Sequence, residues 1–333
     1  MQGFQQLART VRACRTALVL CHQNADPDAV CSAFLLTRLI KGLSRRMKTT
    51  AASPDGVSKV SARVLKRLNF RIEENVDPRN YDVIFTVDTN TLQQLGSMKE
   101  AVDSCGKPLI MIDHHAIHPD TRHRATILLS DDKATSACEI VYRYCKATRI
   151  RLTKRDALAT FLGLAYETGH FGIATTRSLK LACELLARGV DGTEALNIIR
   201  VPMDNSERIA RVKSAQRLKW ENVEGWIVAS STVGSFHASV ARSLVALGAH
   251  LAIVAGEKDD RVTLSLRSTA DFYANTGFHA GKDLATPLGE AMGGAGGGHS
   301  TAAGATVRGT LDEAIKESLA LFKAHMEKRR ASP

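Results

Sequence analysis

An α/β fold in two domains is predicted for this chain by three features. Its 333 residues exceed what one hydrophobic core usually organises, its first two hundred residues alternate short apolar runs with longer amphipathic stretches, and that alternation stops near residue 200. The apolar runs at 16–21, 48–52, 81–87 and 107–112 read as strands, and several are almost continuously apolar, as expected when both faces of a parallel sheet are covered. Stretches 29–43, 133–147, 153–168 and 176–188 carry apolar residues at three and four spacing and read as helices, with Gly189 placed to cap the last. Residues 1–200 therefore form a mostly parallel sheet flanked by helices. Val201-Pro202 breaks the pattern, and the charged helical stretch after it makes 201–218 a linker helix. Residues 219–333 read as a smaller α/β domain with a mixed sheet. It has a hairpin-like pair over 219–233, a helix at 237–247, two strands at 251–257 and 262–268 about Asp259-Asp260, a glycine-rich loop and a terminal helix.

Composition closes several alternatives. With 44% hydrophobic and 24% charged residues the chain is ordinary globular protein, which excludes disorder and collagen-like repetition. The longest apolar runs, such as 16–21 and 251–255, fall far short of the roughly 20 residues of a membrane helix. Residues 1–15, with polar Gln2, Gln5 and Gln6, show no secretion signal, so a cytoplasmic location is expected. Seven cysteines include no CxxC pair and lie mostly in apolar stretches, where free thiols act as small core residues. The formal charge of +11 is uneven: 41–71 holds nine Lys or Arg against Asp55 alone, and 143–155 holds six with no acid, which favours anionic partners. Aromatic residues are only 5%, which suits contact with a few bases rather than a long stacking platform.

Three predicted strands run directly into metal-type ligands. His22, Asp26 and Asp28 follow the first, Asp88 the third, and Asp113, His114 and His115 the fourth. Loops beyond the carboxyl ends of parallel strands share one crevice, so these side chains should converge. Any one of them alone reads as a cap, a turn residue or a core histidine; three clusters at strand ends together point to a site. Carboxylates crowded there repel one another unless divalent cations intervene, and a carboxylate and imidazole set without thiolates suits Mn²⁺, Mg²⁺ or Fe²⁺.

His22-Gln23-Asn24-Ala25-Asp26-Pro27-Asp28, Val87-Asp88-Thr89, Asp113-His114-His115 and Gly163-Leu164-Ala165-Tyr166-Glu167-Thr168-Gly169 resemble, in order, the motifs of the DHH phosphoesterases. Ser265-Leu266-Arg267-Ser268, Gly296-Gly297-Gly298-His299 and Ala302-Ala303-Gly304 resemble those of the DHH-associated C-terminal domain. The resemblance implies that His22 and Asp26 hold one metal, Asp28 and His114 a second, and that Asp88 bridges them. It implies that Asp113 orients an imidazole and that His115 faces the substrate phosphate. Glu167 stands where the family usually has aspartate, one methylene longer with the same charge, and is expected to ligate. Arg267, Gly296, Gly297, Gly298 and His299 would grip a neighbouring nucleotide. His118 and His123 fit no motif and are expected at the surface.

The glycine run is not a dinucleotide fingerprint, because the GxGxxG spacing fails and no strand leads into it; 277–282 is not a P-loop. As a loop it would let backbone amides reach an anion. The function implied is metal-dependent phosphodiester hydrolysis by two-metal activation of water, as in the DHH oligoribonucleases and RecJ-type exonucleases, on short single-stranded RNA or DNA or on small nucleotides. Cyclic dinucleotides and 3′-phosphoadenosine 5′-phosphate are alternatives within that chemistry, and a weakly catalytic nucleic-acid-binding protein is one outside it. The sequence leaves open whether the chain forms a homodimer.

Overall fold

Five short strands, β1 (Thr16–Leu20), β2 (Lys48–Ala52), β3 (Val83–Val87), β4 (Leu109–Asp113) and β5 (Ile127–Ser130), form one all-parallel sheet in the order β2-β1-β3-β4-β5. The computed structural model describes residues 2–116, 118–258 and 260–331. The chain divides into two compact units, residues 1–201 and 202–333. In the first, the helices in chain order are α1 (Gln2–Ala13), α2 (Pro27–Leu43), α3 (Lys59–Leu68), α4 (Lys99–Ser104), α5 (Pro119–Arg124), α6 (Ala137–Ala147), α7 (Lys154–Glu167), α8 (Thr176–Ala187) and α9 (Gly192–Ile199). Alternate strand residues serve opposite faces. Val19, Phe85, Ile110 and Ile112 pack with α2, α6 and α7, whereas Leu18, Leu20, Ile84 and Met111 pack under Leu95 and Val102 on the other side. Each fully buried leucine there contributes about 1.5–3 kcal/mol.

Strand order reverses between β1 and β3, the point at which open α/β sheets leave a crevice for ligands. Register carries this to named side chains. Leu20 lies opposite Thr86, so two residues further on His22 stands beside Asp88, and Val87 lies opposite Ile112, so one residue further on Asp88 stands beside Asp113.

The second unit carries a mixed sheet, order β10-β11-β9-β8-β7-β6, built from β6 (Lys219–Val223), β7 (Trp226–Thr232), β8 (Leu251–Lys258), β9 (Arg261–Ser268), β10 (Ala295–Gly298) and β11 (Ala302–Val307). Its helices are α10 (Asn205–Gln216), α11 (His237–Leu247), α12 (Ala270–Thr276), α13 (Thr286–Ala291) and α14 (Leu311–Ala331), with a π-helical turn at Ala280–Ala285. One face of the sheet packs with Phe272, Leu284, Leu288 and Phe322, the other with Ala210, Val240 and Leu244. Only β7 and β8 run parallel.

The expected strands and helices are present, with later starts for β3, β4 and α6. Two expectations need amendment. The glycine-rich stretch is not a loop: Ala295–Gly298 is an edge strand paired to β11. The helix expected as a linker packs inside the second unit, where Ala210 and Ser214 are buried and Arg211 reaches the Ser239 hydroxyl of α11 at 2.9 Å. Of the expected turn Asp259-Asp260, Asp259 lies outside the described residues; Asp260 has φ 57°. Among the described residues no helix is long and apolar enough to cross a membrane.

Candidate metal centre and anion-binding strand

The first motif is built by the start of α2. Asp26 caps that helix by accepting the Ala29 N–H at 3.1 Å, and Pro27, which has no N–H to leave unpaired, occupies its first turn. His22, just past β1, presents Nε2 to Asp26 Oδ1 at 3.8 Å and to Asp88 Oδ2 at 4.0 Å. Its Nδ1 is 2.8 Å from the Gln23 carbonyl oxygen, which fixes the ring by accepting a hydrogen from it.

Asp88 occupies the centre. It follows β3 in the left-handed region, φ 54°, a conformation that costs a non-glycine residue on the order of 1 kcal/mol and that aspartate tolerates better than most. That turn aims its carboxylate between the other groups. Oδ2 faces His22, while Oδ1 lies 3.4 Å from His114 Nε2 and 3.6 Å from His115 Nδ1. The ligand-type atoms of His22, Asp26 and Asp88 lie within 4.8 Å of one another, and so do those of Asp88, Asp113, His114 and His115. Asp88 belongs to both groups, one oxygen turned to each.

Asp113 organises the last cluster. Its Oδ1 accepts the backbone N–H of His114 at 2.7 Å and of His115 at 3.1 Å, and the His115 Nδ1–H at 2.8 Å. A carboxylate only accepts, so His115 carries a proton on Nδ1.

Two expected ligands stand apart. Asp28 is fully buried and its oxygens accept the Ala137 N–H at 2.6 Å and the Cys138 N–H at 3.1 Å, so it closes the exposed amides at the start of α6. It is in neither group. Glu167, the last residue of α7, places Oε2 4.0 Å from His114 Nε2 and is also outside them. Its carboxylate, partly exposed, lies on the His114 side. The sequence reading missed the α6 contact with Asp28, although Ser136 and Glu139 give a capping signal: Ser136 Oγ accepts the Glu139 N–H and Glu139 accepts the Thr135 N–H.

The electrostatics are those of negative charge short of partners. Burial, then Asp26 and Asp113, push Asp88 up to about 7; burial and Asp88 push Asp28 to about 7; burial and the charges of Asp28, Asp26 and Asp88 push Glu167 to about 8. His22 and His115 move the other way from what burial dictates. Burial lowers His22, but Asp26, the Gln23 carbonyl and Asp88 hold it at about 9, and the hydrogen bond to Asp113 holds His115 at about 9 despite partial burial.

A divalent metal fits this arrangement. Asp88 Oδ1, Asp113 Oδ2 and His114 Nε2 are buried with no hydrogen-bond partner among the described residues, an arrangement that costs free energy unless a ligand completes it. Ligand atoms bound to one ion sit roughly 3–4 Å apart, and Asp88 Oδ1 and His114 Nε2 are 3.4 Å apart. The donor set of carboxylates and imidazoles contains no thiolate.

In the second unit, Arg267 near the end of β9 and His299 just past β10 lie in one cross-strand row through Ala302: Ala302 is opposite Arg267, and His299 donates its N–H to the Ala302 carbonyl at 2.8 Å. Arg267 gives one N–H to its neighbour's carbonyl at 3.0 Å and stands near Arg242 of α11, a cation the sequence reading did not single out. Burial and Arg242 lower its pKa. The glycines are required for packing as much as for access. A Cβ at Gly296 would overlap the Ala285 carbonyl of the π-helical turn, whereas one at Gly297 would meet nothing. Gly298, at φ 142°, ends the strand.

Part of the basic charge is spent inside the first unit. Arg63 donates to the Asn197 and Arg200 carbonyls, Arg67 pairs with Glu194, Arg143 with Asp131 and Lys146 with Glu184. His118 and His123 are exposed.

Comparison with known proteins places the two units in known families. Residues 16–166 match the DHH family, N-terminal domain, and residues 234–328 match the DHHA1 domain. An uncharacterized protein of Methanocaldococcus jannaschii is 30% identical over 291 residues, covering 86% of this chain and 85% of that protein. The bifunctional oligoribonuclease and PAP phosphatase of Bacillus subtilis is 26% identical over 201 residues, 58% of this chain and 59% of that enzyme. The crystal structure of an exopolyphosphatase-related protein from Bacteroides fragilis superposes with a TM-score of 0.68 at 20% identity, covering 98% of this chain and 96% of that one, which speaks to fold alone. The chain therefore belongs to the DHH family of phosphoesterases, with a C-terminal DHHA1 domain.

Proposed function

We propose that the chain is a metal-dependent phosphodiesterase of short single-stranded oligonucleotides, able to act as well on small phosphorylated nucleotides. The observation that carries this is Asp88, whose two oxygens face two overlapping ligand groups, one with His22 and Asp26 and one with His114. The name of the Bacillus subtilis relative, which couples an oligoribonuclease with a phosphatase, supports both substrate classes.

His22 and Asp26 would hold one divalent ion, His114 a second with Glu167 at its edge, and Asp88 both. Manganese is the first choice, and magnesium or iron(II) suits the same donors. When bound, such ions supply Lewis acidity, activating water near neutral pH and neutralising charge that builds on phosphate oxygens. Asp28 shares the enclosure and is held by α6, so its part is to fix the start of α2 against that helix. His115 is the group that moves a proton. Held protonated by Asp113 and 45% exposed at its side chain, it can donate to the phosphate or the leaving oxygen. Within the second unit, Arg267, His299 and the Gly296–Gly298 strand would bind anionic groups of a nucleotide, Arg267 through its planar fork.

The test is turnover of 5′-labelled RNA and DNA, from dinucleotides to about 24-mers, by metal-stripped protein with and without Mn²⁺, beside an Asp88→Asn variant. Asparagine keeps the left-handed turn accessible. Mn²⁺-dependent release of mononucleotides, lost in the variant, is expected, with the shortest substrates cut fastest. Equal turnover by the folded variant would overturn the mechanism.

A further inference from the structure

Strand β6 is the free edge of the second sheet, and its backbone, charges and apolar side chains are complementary to themselves. Hairpin β6–β7 closes through Glu224-Gly225, both at positive φ (53° and 88°), which makes Val223 and Trp226 the hydrogen-bonded closing pair. Pairs alternate from there. Glu221 and Lys219 spend their backbone groups on β7, and Trp220 and Asn222 turn theirs outward. The far side of β7 confirms the phase: Ile227, opposite Asn222, accepts the His250 N–H at 2.8 Å and donates its own to His250 Nδ1 at 2.9 Å. Among the described residues nothing bonds the outward groups of Trp220 and Asn222. Trp220 is 66% exposed and Leu247 of α11 is 67% exposed, and they border one apolar hollow of about 230 Å³ with Leu218, Ile227 and Leu244. A bare edge flanked by exposed apolar groups invites another strand.

We infer that β6 pairs antiparallel with β6 of a second copy about a twofold axis at Trp220, joining the two sheets into one. Charge selects the register: Glu221 Oε2 holds Lys323 of α14 at 2.6 Å, while its Oε1 has no partner among the described residues, so a lysine from the other chain would complete that carboxylate. With Trp220 opposite its own copy, the outward hydrogen-bonding residues face each other, and Lys219 of each chain lies opposite Glu221 of the other, twice over. The next in-phase register, centred on Glu221, sets that carboxylate against itself. The one beyond, centred on Asn222, leaves Lys219 and Glu221 unmatched. The paired tryptophans would lie over the apolar hollows that flank them.

Sedimentation equilibrium of the full chain between about 1 and 100 μM tests this. A mass twice 36.1 kDa is expected. Lys219→Glu alone brings glutamates into opposition and Glu221→Lys alone brings lysines, so each should weaken the dimer at least about tenfold, while an equimolar mixture of the two variants restores the dimer as a heterodimer. Trp220→Pro removes an outward N–H without touching the bonds to β7, and should leave folded monomer by circular dichroism. Monomeric wild type throughout, single variants as dimeric as wild type, or a mixture of folded variants that stays monomeric would each overturn the pairing.

Discussion

The first unit crowds ionisable side chains that lack partners, whereas the second sets an almost chargeless glycine strand near two guanidinium groups. Around Asp88 negative charge is concentrated and the geometry is fixed by register, so what the site can do depends on the cations that enter it. Around β10 the shape of the backbone decides, because at Gly296 any side chain would strike the neighbouring turn. The contrast teaches that substitutions should fail differently in the two units: through chemistry in the first, through packing in the second.

The largest expected effect is at Asp88. Asp88→Asn should lower kcat on a dinucleotide by on the order of 10⁴-fold, while the metal-free variant, relieved of repulsion from Asp26 and Asp113, melts no lower than wild type. A variant that loses activity only by unfolding would erase the contrast. Next comes the glycine strand. Gly296→Ala should destabilise the protein by about 2–3 kcal/mol, and Gly297→Ala by less than about 0.5 kcal/mol, read from urea midpoints. Equal costs would contradict the close approach to Ala285. Arg267→Ala should raise KM about tenfold with little change in kcat, because the guanidinium is expected to bind rather than react; a fall in kcat alone would move Arg267 into the chemistry.

Smallest is the dependence of metal-free stability on pH, since several of the groups are partly exposed and screened. Asp28, Asp88 and Glu167 titrate higher folded than unfolded, so the folded protein holds more protons than the unfolded chain from roughly pH 4 to 8; His22 and His115 extend that window to about 9. Stability of the metal-free protein should therefore fall as pH rises across it, and Mn²⁺, which binds the deprotonated groups, should flatten the fall. A urea midpoint that rises from pH 5 to pH 8.5 without metal would contradict the charge crowding.

Much of this was legible in the sequence. Strands β1, β3 and β4 announce themselves because both faces are buried, and His22, Asp88 and His114 stand just beyond their ends. Other parts were not. Strand β5 has only four residues, too few to show a period, and α3 hid its buried Val60, Val64 and Leu68 inside a stretch read for its basic charge. Strand β10 read as a loop because glycine has poor strand propensity, and only its pairing with β11 and the π-helical turn against it make it a strand. The anchoring of Asp28 depends on amides more than a hundred residues away, and the ion pairs that absorb Arg67 and Lys146 reach across 127 and 38 residues.

The most direct test of the shared position of Asp88 is a calorimetric titration of metal-stripped protein with Mn²⁺ at pH 7, wild type against Asp88→Asn. Wild type should bind two ions with release of protons, and the variant should lose affinity for both together. Retention of either ion at wild-type affinity in the folded variant, or no binding by wild type, would contradict a carboxylate that serves both groups.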